Sequence, residues 1–552
     1  MIKHHIITLF AFGLFLASCV GSRSETPPVS LRSPVQSPIS TAIAATAKSS
    51  PVPIVSTPRP TAILSSTHIP WPSPVSTLAP SALSPEATAA MAAWKKADSV
   101  TGYALYQISE TPLGVVDLQW SPDGRNLWLN VAAGPGGMGN YAPTTSLVIN
   151  RDSHKGWPAG GWGDTRWGDM FCSTAHDWSP DGRQLAYIKD RQLWLAEAEG
   201  RNPRPQPLPS GAEGFSSPRY SADGRMIAVL GSRIVGNSVH YDVWVLDIAT
   251  GSFKCIIEDA GYNRPIWAPS GSELAHLGLV YYAGTARYPR GVERLWISDA
   301  FAGRTTWADL VPPPGTEGCI SPPMWLMGGK KVLVTLLHTP GVWIVDLDGN
   351  IERIDQGTSK QSGRPSGLAA PDMGGACGNA VASPDGRYVV FTSDSTKMHV
   401  TDLQTGNDLD LGPGGDRWCY SMLAIGWAPQ KPQFLRWGQT LPLELVDATT
   451  GNVQRLASSG LWPAWSPDGR HVAYWQSEAQ DYALWLLSLD DLKSVRLTSP
   501  SRDDPREWSS RMPFFYDVTP HWSPDGTSIA FVSFREKHPE AYLVQLSGKD
   551  GG

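Results

Sequence analysis

One hexapeptide constrains what this chain can fold into. Trp120-Ser121-Pro122-Asp123-Gly124-Arg125 returns as Trp178-Ser179-Pro180-Asp181-Gly182-Arg183, Tyr220-Ser221-Ala222-Asp223-Gly224-Arg225, Ser383-Pro384-Asp385-Gly386-Arg387, Trp465-Ser466-Pro467-Asp468-Gly469-Arg470 and Trp522-Ser523-Pro524-Asp525-Gly526-Thr527. Weaker copies at Trp267-Ala268-Pro269-Ser270-Gly271, Trp325-Leu326-Met327-Gly328-Gly329 and Trp427-Ala428-Pro429 fill the gaps. The spacing averages roughly 50 residues, a period at which propellers and solenoids announce themselves.

Each unit repeats one logic. A short strand ends in the aromatic, a Pro-Asp-Gly turn follows, and an apolar strand such as Leu185-Ala186-Tyr187-Ile188 or Ile529-Ala530-Phe531-Val532 leaves the turn. Proline presets the turn and glycine supplies its positive φ. A third strand comes next, as in Leu193-Trp194-Leu195 and Val342-Trp343-Ile344-Val345-Asp346. Its continuous apolar character implies cover on both faces. After an Asp-x-x-Thr-Gly turn such as Asp247-Ile248-Ala249-Thr250-Gly251, a more polar fourth strand completes the unit. Four antiparallel strands, wettest at the outside, describe a propeller blade.

The expected fold is therefore all-β: a single β-propeller of four-stranded antiparallel blades. The motif count gives nine blades, or eight if the weak copy at Trp325 or Trp427 belongs to an insertion. The last unit ends after its third strand, Ala541-Tyr542-Leu543-Val544-Gln545, and the N-terminal segment Tyr103-Ala104-Leu105-Tyr106-Gln107-Ile108 is expected to supply the missing outer strand. That pairing would leave no open edge between first and last blades.

The Trp-Ser-Pro-Asp-Gly-Arg turn with its downstream apolar-Trp-apolar strand resembles the WD-like repeat of TolB-type bacterial propellers, shared with the propellers of prolyl-oligopeptidase-like peptidases. The resemblance spans about residues 102 to 546 and implies a fold. It implies little about function, because such scaffolds host many sites. The chain departs from both relatives. No additional N-terminal α/β domain of the TolB kind is visible, and no Gly-x-Ser-x-Gly elbow of a serine hydrolase occurs.

Ahead of the repeats, Lys3 and the apolar run from Ile6 to Leu16 read as a secretory signal too short to span a bilayer. Leu16-Ala17-Ser18-Cys19 resembles the bacterial lipobox, which implies cleavage before Cys19, an acyl group on Cys19 and an extracytoplasmic, lipid-anchored protein at the cell surface or in the periplasm. Residues 1–19 are thus assigned to a signal peptide. Residues 20–84, punctuated by Thr26-Pro27-Pro28, Ser50-Pro51-Val52-Pro53 and Trp71-Pro72-Ser73-Pro74, read as a disordered tether. Ser84-Pro85 and the Ala-rich stretch that follows predict a short helix over 85–98, with the propeller over 99–552.

A formal net charge of -6 argues against phosphate-driven nucleic-acid binding. Gly134, Gly136 and Gly139 match a nucleotide fingerprint by letter, but Asn140-Tyr141-Ala142-Pro143 cannot open the helix that phosphate binding needs. Asp346, Asp348 and Asn350 alternate like the start of a calcium loop, and read better as local turn chemistry. No metal or cofactor is expected. Beyond Cys19 the cysteines number five, which excludes complete pairing among them; a bridge between Cys377 and Cys419 and buried free thiols are both open.

Long insertions are expected to gather on the face that carries the second-to-third-strand and blade-to-blade connections, where a rigid ring positions functional residues. Candidate binding residues there are Trp157, Trp162, Arg166 and Trp167, then Tyr281, Tyr282, Tyr288 and Arg290, then Arg506, Trp508, Arg511, Phe515 and Tyr516. Aromatics with arginine suit a sugar or a protein partner, and they equally suit mutual burial in the mouth of a wide ring. The leading expectation is a non-catalytic envelope receptor or scaffold binding protein or polysaccharide. The rivals are a glycan lyase or hydrolase, using acid-base groups such as Asp169, His176, Asp503 or Asp504, and an envelope assembly factor.

Overall fold

Each Ser-Pro-Asp-Gly segment closes on itself in the same way. The Ser121 hydroxyl donates to Asp123 Oδ1 at 2.6 Å and accepts the Asn126 amide at 2.9 Å. The Arg125 amide donates to Asp123 Oδ1 at 3.1 Å, and the Gly124 amide to the Ser121 carbonyl at 2.9 Å. The serine-to-aspartate bond recurs at Ser179, Ser221, Ser383, Ser466 and Ser523. The six glycines share φ values from +67° to +71°, a region other residues enter only with strain. The hydroxyl of Ser179 and the amide of Arg183 hold the Asp181 carboxyl below its ordinary value.

The computed structural model describes residues 91–132 (without 98, 99, 101 and 113), 144–161, 176–280 (without 237, 262, 263 and 270), 292–310, 323–354 (without 327 and 336–341), 380–413 (without 393–396), 425–478 (without 439 and 440), 481–500 and 519–546 (without 536 and 537). All regular structure among them is β-strand. Blades 1 to 9 span 115–161, 176–205, 214–257, 266–310, 324–353, 380–413, 425–457, 461–496 and 521–545. Within each, strands pair in chain order and antiparallel, and are numbered here from the axis outward. Trp325 and Trp427 each lie in the first strand of a blade of their own, so the count is nine and not eight. Blades 1 and 2 also join into one eight-stranded sheet through a parallel bridge between Gly161 and Lys189.

Alternation along a single strand explains how the blades stack. In the second strand of blade 3, Ile227 and Val229 pack with Ala186, Ile188 and Leu193 of blade 2. The intervening Met226, Ala228 and Leu230 join Trp267, Leu274 and Trp296 of blade 4. Both faces are thus covered, as the unbroken apolar run requires. The framework tryptophans add a directional clip between blades. Indole Nε1 of Trp120 donates to the His521 carbonyl at 3.0 Å, and Trp267 donates likewise to Arg219, Trp325 to Ile266, Trp465 to Gly426 and Trp522 to Ala464. In every case the acceptor directly precedes the aromatic position of the preceding blade.

The strand Ala104–Ser109 lies beside Glu540–Gln545 as the outer strand of blade 9, with Ala104 opposite Gln545 and Gln107 opposite Tyr542. Across the same seam Leu118, Leu127 and Leu147 of blade 1 share a core with Ile108, Val532 and Leu543. The buried Glu540 fastens it: Oε2 accepts the Ser109 hydroxyl at 2.5 Å, and Oε1 accepts the amide and hydroxyl of Thr111 at 2.8 and 3.0 Å. Burial pushes this carboxyl above its ordinary value, against those hydrogen bonds. A carboxyl whose folded value is raised holds its proton more tightly in the folded state, so stability falls as pH rises from the unfolded value through the folded one. The stability advantage of wild type over Glu540→Gln is therefore expected to shrink as pH rises above the ordinary carboxylate range in urea unfolding. An advantage that grew over that rise would contradict this.

The helix expected over 85–98 is corrected where the structure describes it. Ala92–Ala97 is a strand pairing antiparallel with Ala104–Ser109, as a fifth strand on blade 9. Alanine and lysine favour a helix locally, but an unpaired outer edge offers a full ladder of backbone partners, and tertiary pairing wins. Trp94 adds to it by stacking on His154 of blade 1, ring centroids 4.0 Å apart and planes within 8°. The signal, Cys19 and the tether lie outside the described residues, as do Gly134, Gly136, Gly139, Cys377 and Cys419.

Candidate functional site

The two faces of the ring differ in connection length. Turns from first to second strand and from third to fourth open on one face, and the longest runs only over 198–203. Connections from second to third strand and from blade to blade open on the other face. They include 133–143, 162–175, 281–291, 311–323, 354–379, 414–424 and 497–520. The insertions that the sequence suggests over 152–175 and 303–322 begin later, at 162 and 311, because the fourth strands Gly156–Gly161 and Arg304–Leu310 occupy their first parts.

The inner strands bring a second set of residues together. The position before each framework aromatic is mostly only part-buried, because the first strand is the innermost and borders the central opening. Going round from blade 9, that position holds His521, Gln119, Asp177, Arg219, Ile266, Met324, Val381, Gly426 and Ala464. One arc is polar and charged; the other is apolar.

Asp177 anchors the charged arc. Its Oδ2 accepts the Tyr220 amide of blade 3 at 2.7 Å, and its Oδ1 accepts the Trp178 amide at 3.1 Å and lies 3.9 Å from Arg219 Nη1. Arg219 Nη1 also reaches the His176 carbonyl at 3.3 Å. Burial raises the Asp177 carboxyl, opposed by the Arg219 guanidinium, by the two amides and by Arg264 at the entry to blade 4. Desolvation wins because the carboxylate sits in the wall between two blades. A carboxyl with a raised value beside two guanidinium groups suits recognition of a polar or charged ligand group, and it also fastens blade 2 to blade 3.

His176, a candidate acid-base group by sequence, faces elsewhere. Its ring is buried and stacked on Trp128 of blade 1, with centroids 3.8 Å apart, and meets Trp178 edge-on. Trp157 is likewise corrected: it lies in the fourth strand of blade 1 opposite Val148, beside Gly200, and not on a loop. Trp162, Arg166, Trp167, Tyr281, Tyr282, Tyr288, Arg290, Arg506, Trp508, Arg511, Phe515 and Tyr516 lie outside the described residues, as do Asp169, Asp503 and Asp504. Asp346 makes a local turn, Oδ1 accepting the Asp348 and Asn350 amides at 3.0 and 2.8 Å and Oδ2 the Asn350 side-chain amide at 2.8 Å. Among the described residues no three histidine, cysteine or acidic side chains come together as a metal site.

No family model matches the chain, and no curated protein matches it. Many solved structures are similar to it. One is an oligogalacturonate lyase in complex with manganese, at 14% identity, 82% of this chain, 96% of that chain and a TM-score of 0.39. Another is a eukaryotic initiation factor, at 12%, 74%, 95% and 0.43. TolB from Acinetobacter baumannii gives 15%, 67%, 78% and 0.26. Likeness at this level decides nothing about the site, and the blade count rests on the strand pairing.

Proposed function

We propose that this chain is a non-catalytic, lipid-anchored receptor or scaffold of the bacterial cell envelope that binds a protein or a polysaccharide through its loop-bearing face. The observation that carries this reading is the one-sided placement of long connections above a ring whose other face has only short turns. A rigid ring that spends its variable chain on one face is built to present a surface there. The charged arc around Asp177, Arg219 and Arg264 adds a polar wall to the opening beneath that face. Acylation at Cys19 would keep that surface at a membrane.

The test uses the full-length protein on a glycan array and as bait in envelope extract, beside a variant carrying Arg506→Ala, Trp508→Ala and Arg511→Ala. Saturable capture that falls at least tenfold in the variant, with no product released from any bound glycan, is the expected result. Release of cleaved or unsaturated sugar would replace this reading with a glycan-acting enzyme. The raised carboxyl of Asp177, in the wall of the central opening, is a group suited to that rival. Anchoring is tested separately by detergent partition of wild type against Cys19→Ser: a protein that stays in the aqueous phase in both forms overturns it.

A further inference from the structure

The longest strands among the described residues form a hairpin that outgrows its own blade. Met226–Val235 and Ser238–Asp247 pair with each other along their whole length, from Met226 opposite Asp247 to Val235 opposite Ser238. The first strand of blade 3 reaches only as far as Ser232, opposite Gly214, and the fourth only as far as Val243, opposite Ile257. Past Ser232 and Tyr241, whose carbonyls accept the Glu213 and Ala260 amides at 2.8 and 2.7 Å, the hairpin has no sheet neighbour among the described residues and stands out as a two-stranded ribbon. It joins a second strand to a third, so it projects from the loop-bearing face.

Just behind its Gly236-Asn237-Ser238 turn the ribbon is aliphatic. Ile234 and Val239 sit opposite each other at 51% and 52% exposure, with Val235 at 47%. No charged residue occurs between Arg233 and His240. The base, by contrast, is charged and internally balanced. Arg233 forms a bidentate pair with Asp242 at 2.9 and 3.0 Å and reaches Asp259 at 3.1 Å, while His240 Nδ1 lies 2.7 Å from Asp259. The Asp259 amide donates to Asp242 Oδ1 at 2.9 Å. A pinned base holds an uncharged aliphatic tip out in solvent, where an isolated ribbon would fray.

Chain polarity supplies an independent observation. Ala92 pairs with Ser109, and Ser109 lies at the end of the outer strand of blade 9 from which the chain crosses to blade 1. Blade-to-blade crossings open on the loop-bearing face, so Met91, the first described residue, enters there too. Met91 and the aliphatic end of the ribbon therefore share one face of the propeller.

We propose that the blade 3 tip, Ile234, Val235 and Val239, dips into the apolar region of the bilayer that holds the N-terminal lipid, so that the loop-bearing face looks toward that membrane. This rests on the lipid-anchor reading. A tether makes the contact intramolecular, so a tip too weak to hold a free protein suffices for an anchored one. The balanced base carries no excess of positive charge, so the contact draws on apolar burial and is insensitive to salt. Ligands that reach the loop-bearing face would then be those that project from the same membrane. Of the other exposed apolar residues, Leu208 lies at 39% exposure in the blade-to-blade connection 206–213 of the same face, Phe301 and Leu492 lie in turns of the opposite face, and Trp307 lies on an outer strand beneath the Arg294 guanidinium at 5.4 Å.

The test is depth-dependent fluorescence quenching on the full acylated chain reconstituted in vesicles of phosphatidylethanolamine and phosphatidylglycerol. A fluorophore is placed at Ser238→Cys after the native cysteines other than Cys19 are replaced by serine. Brominated acyl chains are expected to quench it at least threefold, equally at 50 mM and 500 mM salt, and Ile234→Asp with Val239→Asp should abolish the quenching while leaving the melting curve unchanged. A label that stays in water while the protein floats with the vesicles overturns the proposal. So does a blue shift that appears without lipid and grows with protein concentration, which would mean a second copy covers the tip. If the chain proves to carry no acyl group, coupling Cys19 to a maleimide lipid restores the tether. Quenching in that preparation then decides the docking of the tip apart from the anchor.

Discussion

A chain that begins at residue 110 is expected to lose its cooperative thermal transition, whereas one that begins at residue 100 keeps it. The longer truncation removes the outer strand of blade 9 with Leu105 and Ile108, both fully buried. Each such side chain contributes about 1.5–3 kcal/mol by burial alone. It also removes Ser109, whose hydroxyl donates to Glu540 and accepts the Ala541 amide, leaving buried polar groups at about 1–3 kcal/mol apiece. Glu540–Gln545 then becomes a bare edge, open to pairing with another molecule. The sum is comparable to the roughly 5–15 kcal/mol that holds a whole domain together. Circular dichroism melting with size-exclusion chromatography reads the result. An unchanged midpoint in the chain from residue 110 would show that the strand is dispensable.

The second large effect belongs to the seam between blades 1 and 2. Trp128→Ala is expected to destabilise by about 3–5 kcal/mol, the range for emptying a buried aromatic site. Trp128 is almost wholly buried among Val148, Trp178, Leu185 and Tyr187, stacks on His176, and donates through Nε1 to Asn130 Oδ1 at 3.0 Å. Its loss removes a packing partner from both blades at once and leaves the buried His176 ring without its stacking surface. Trp307→Ala is the control: that side chain is 57% exposed, and its loss should change stability by less than about 1 kcal/mol. Urea denaturation of the two variants beside wild type separates the cases. Equal losses would place the seam elsewhere.

The legible parts of the fold were those that each residue dictates locally. Serine, aspartate and glycine of the repeat satisfy one another within six positions, so the turn can be read wherever the letters occur. The unbroken apolar strands announce cover on both faces, and the clusters on either side of Met226–Val235 supply it. The short helix was misread for the opposite reason. Nothing local in Ala92–Ala97 calls for a strand, and its pairing depends on an edge created by residues at the far end of the chain. The same holds for the charged arc. Asp177 and Arg219 are ordinary surface residues by type, and only the register of two consecutive inner strands sets one beside the other. The available signal was positional: Asp and Arg stand before the framework aromatic where later blades carry Ile, Met, Val, Gly and Ala. Trp157 shows the reverse error, an aromatic assigned to a loop although a fourth strand was still missing from its blade.

The ring and the entry side of the chain both hang on one pairing between distant segments. Tyr106 and Leu543 stand directly opposite in antiparallel register, where α-carbons lie about 4.5–5.5 Å apart, within the range a disulfide bridges. The chain carrying Tyr106→Cys and Leu543→Cys, with its other cysteines replaced by serine, should oxidise to an intramolecular bridge that links N- and C-terminal fragments after proteolysis. Leu105→Cys with Leu543→Cys, one register position off, should not. Absence of the first bridge, or equal bridging in both pairs, would contradict a propeller closed by its N-terminal strand.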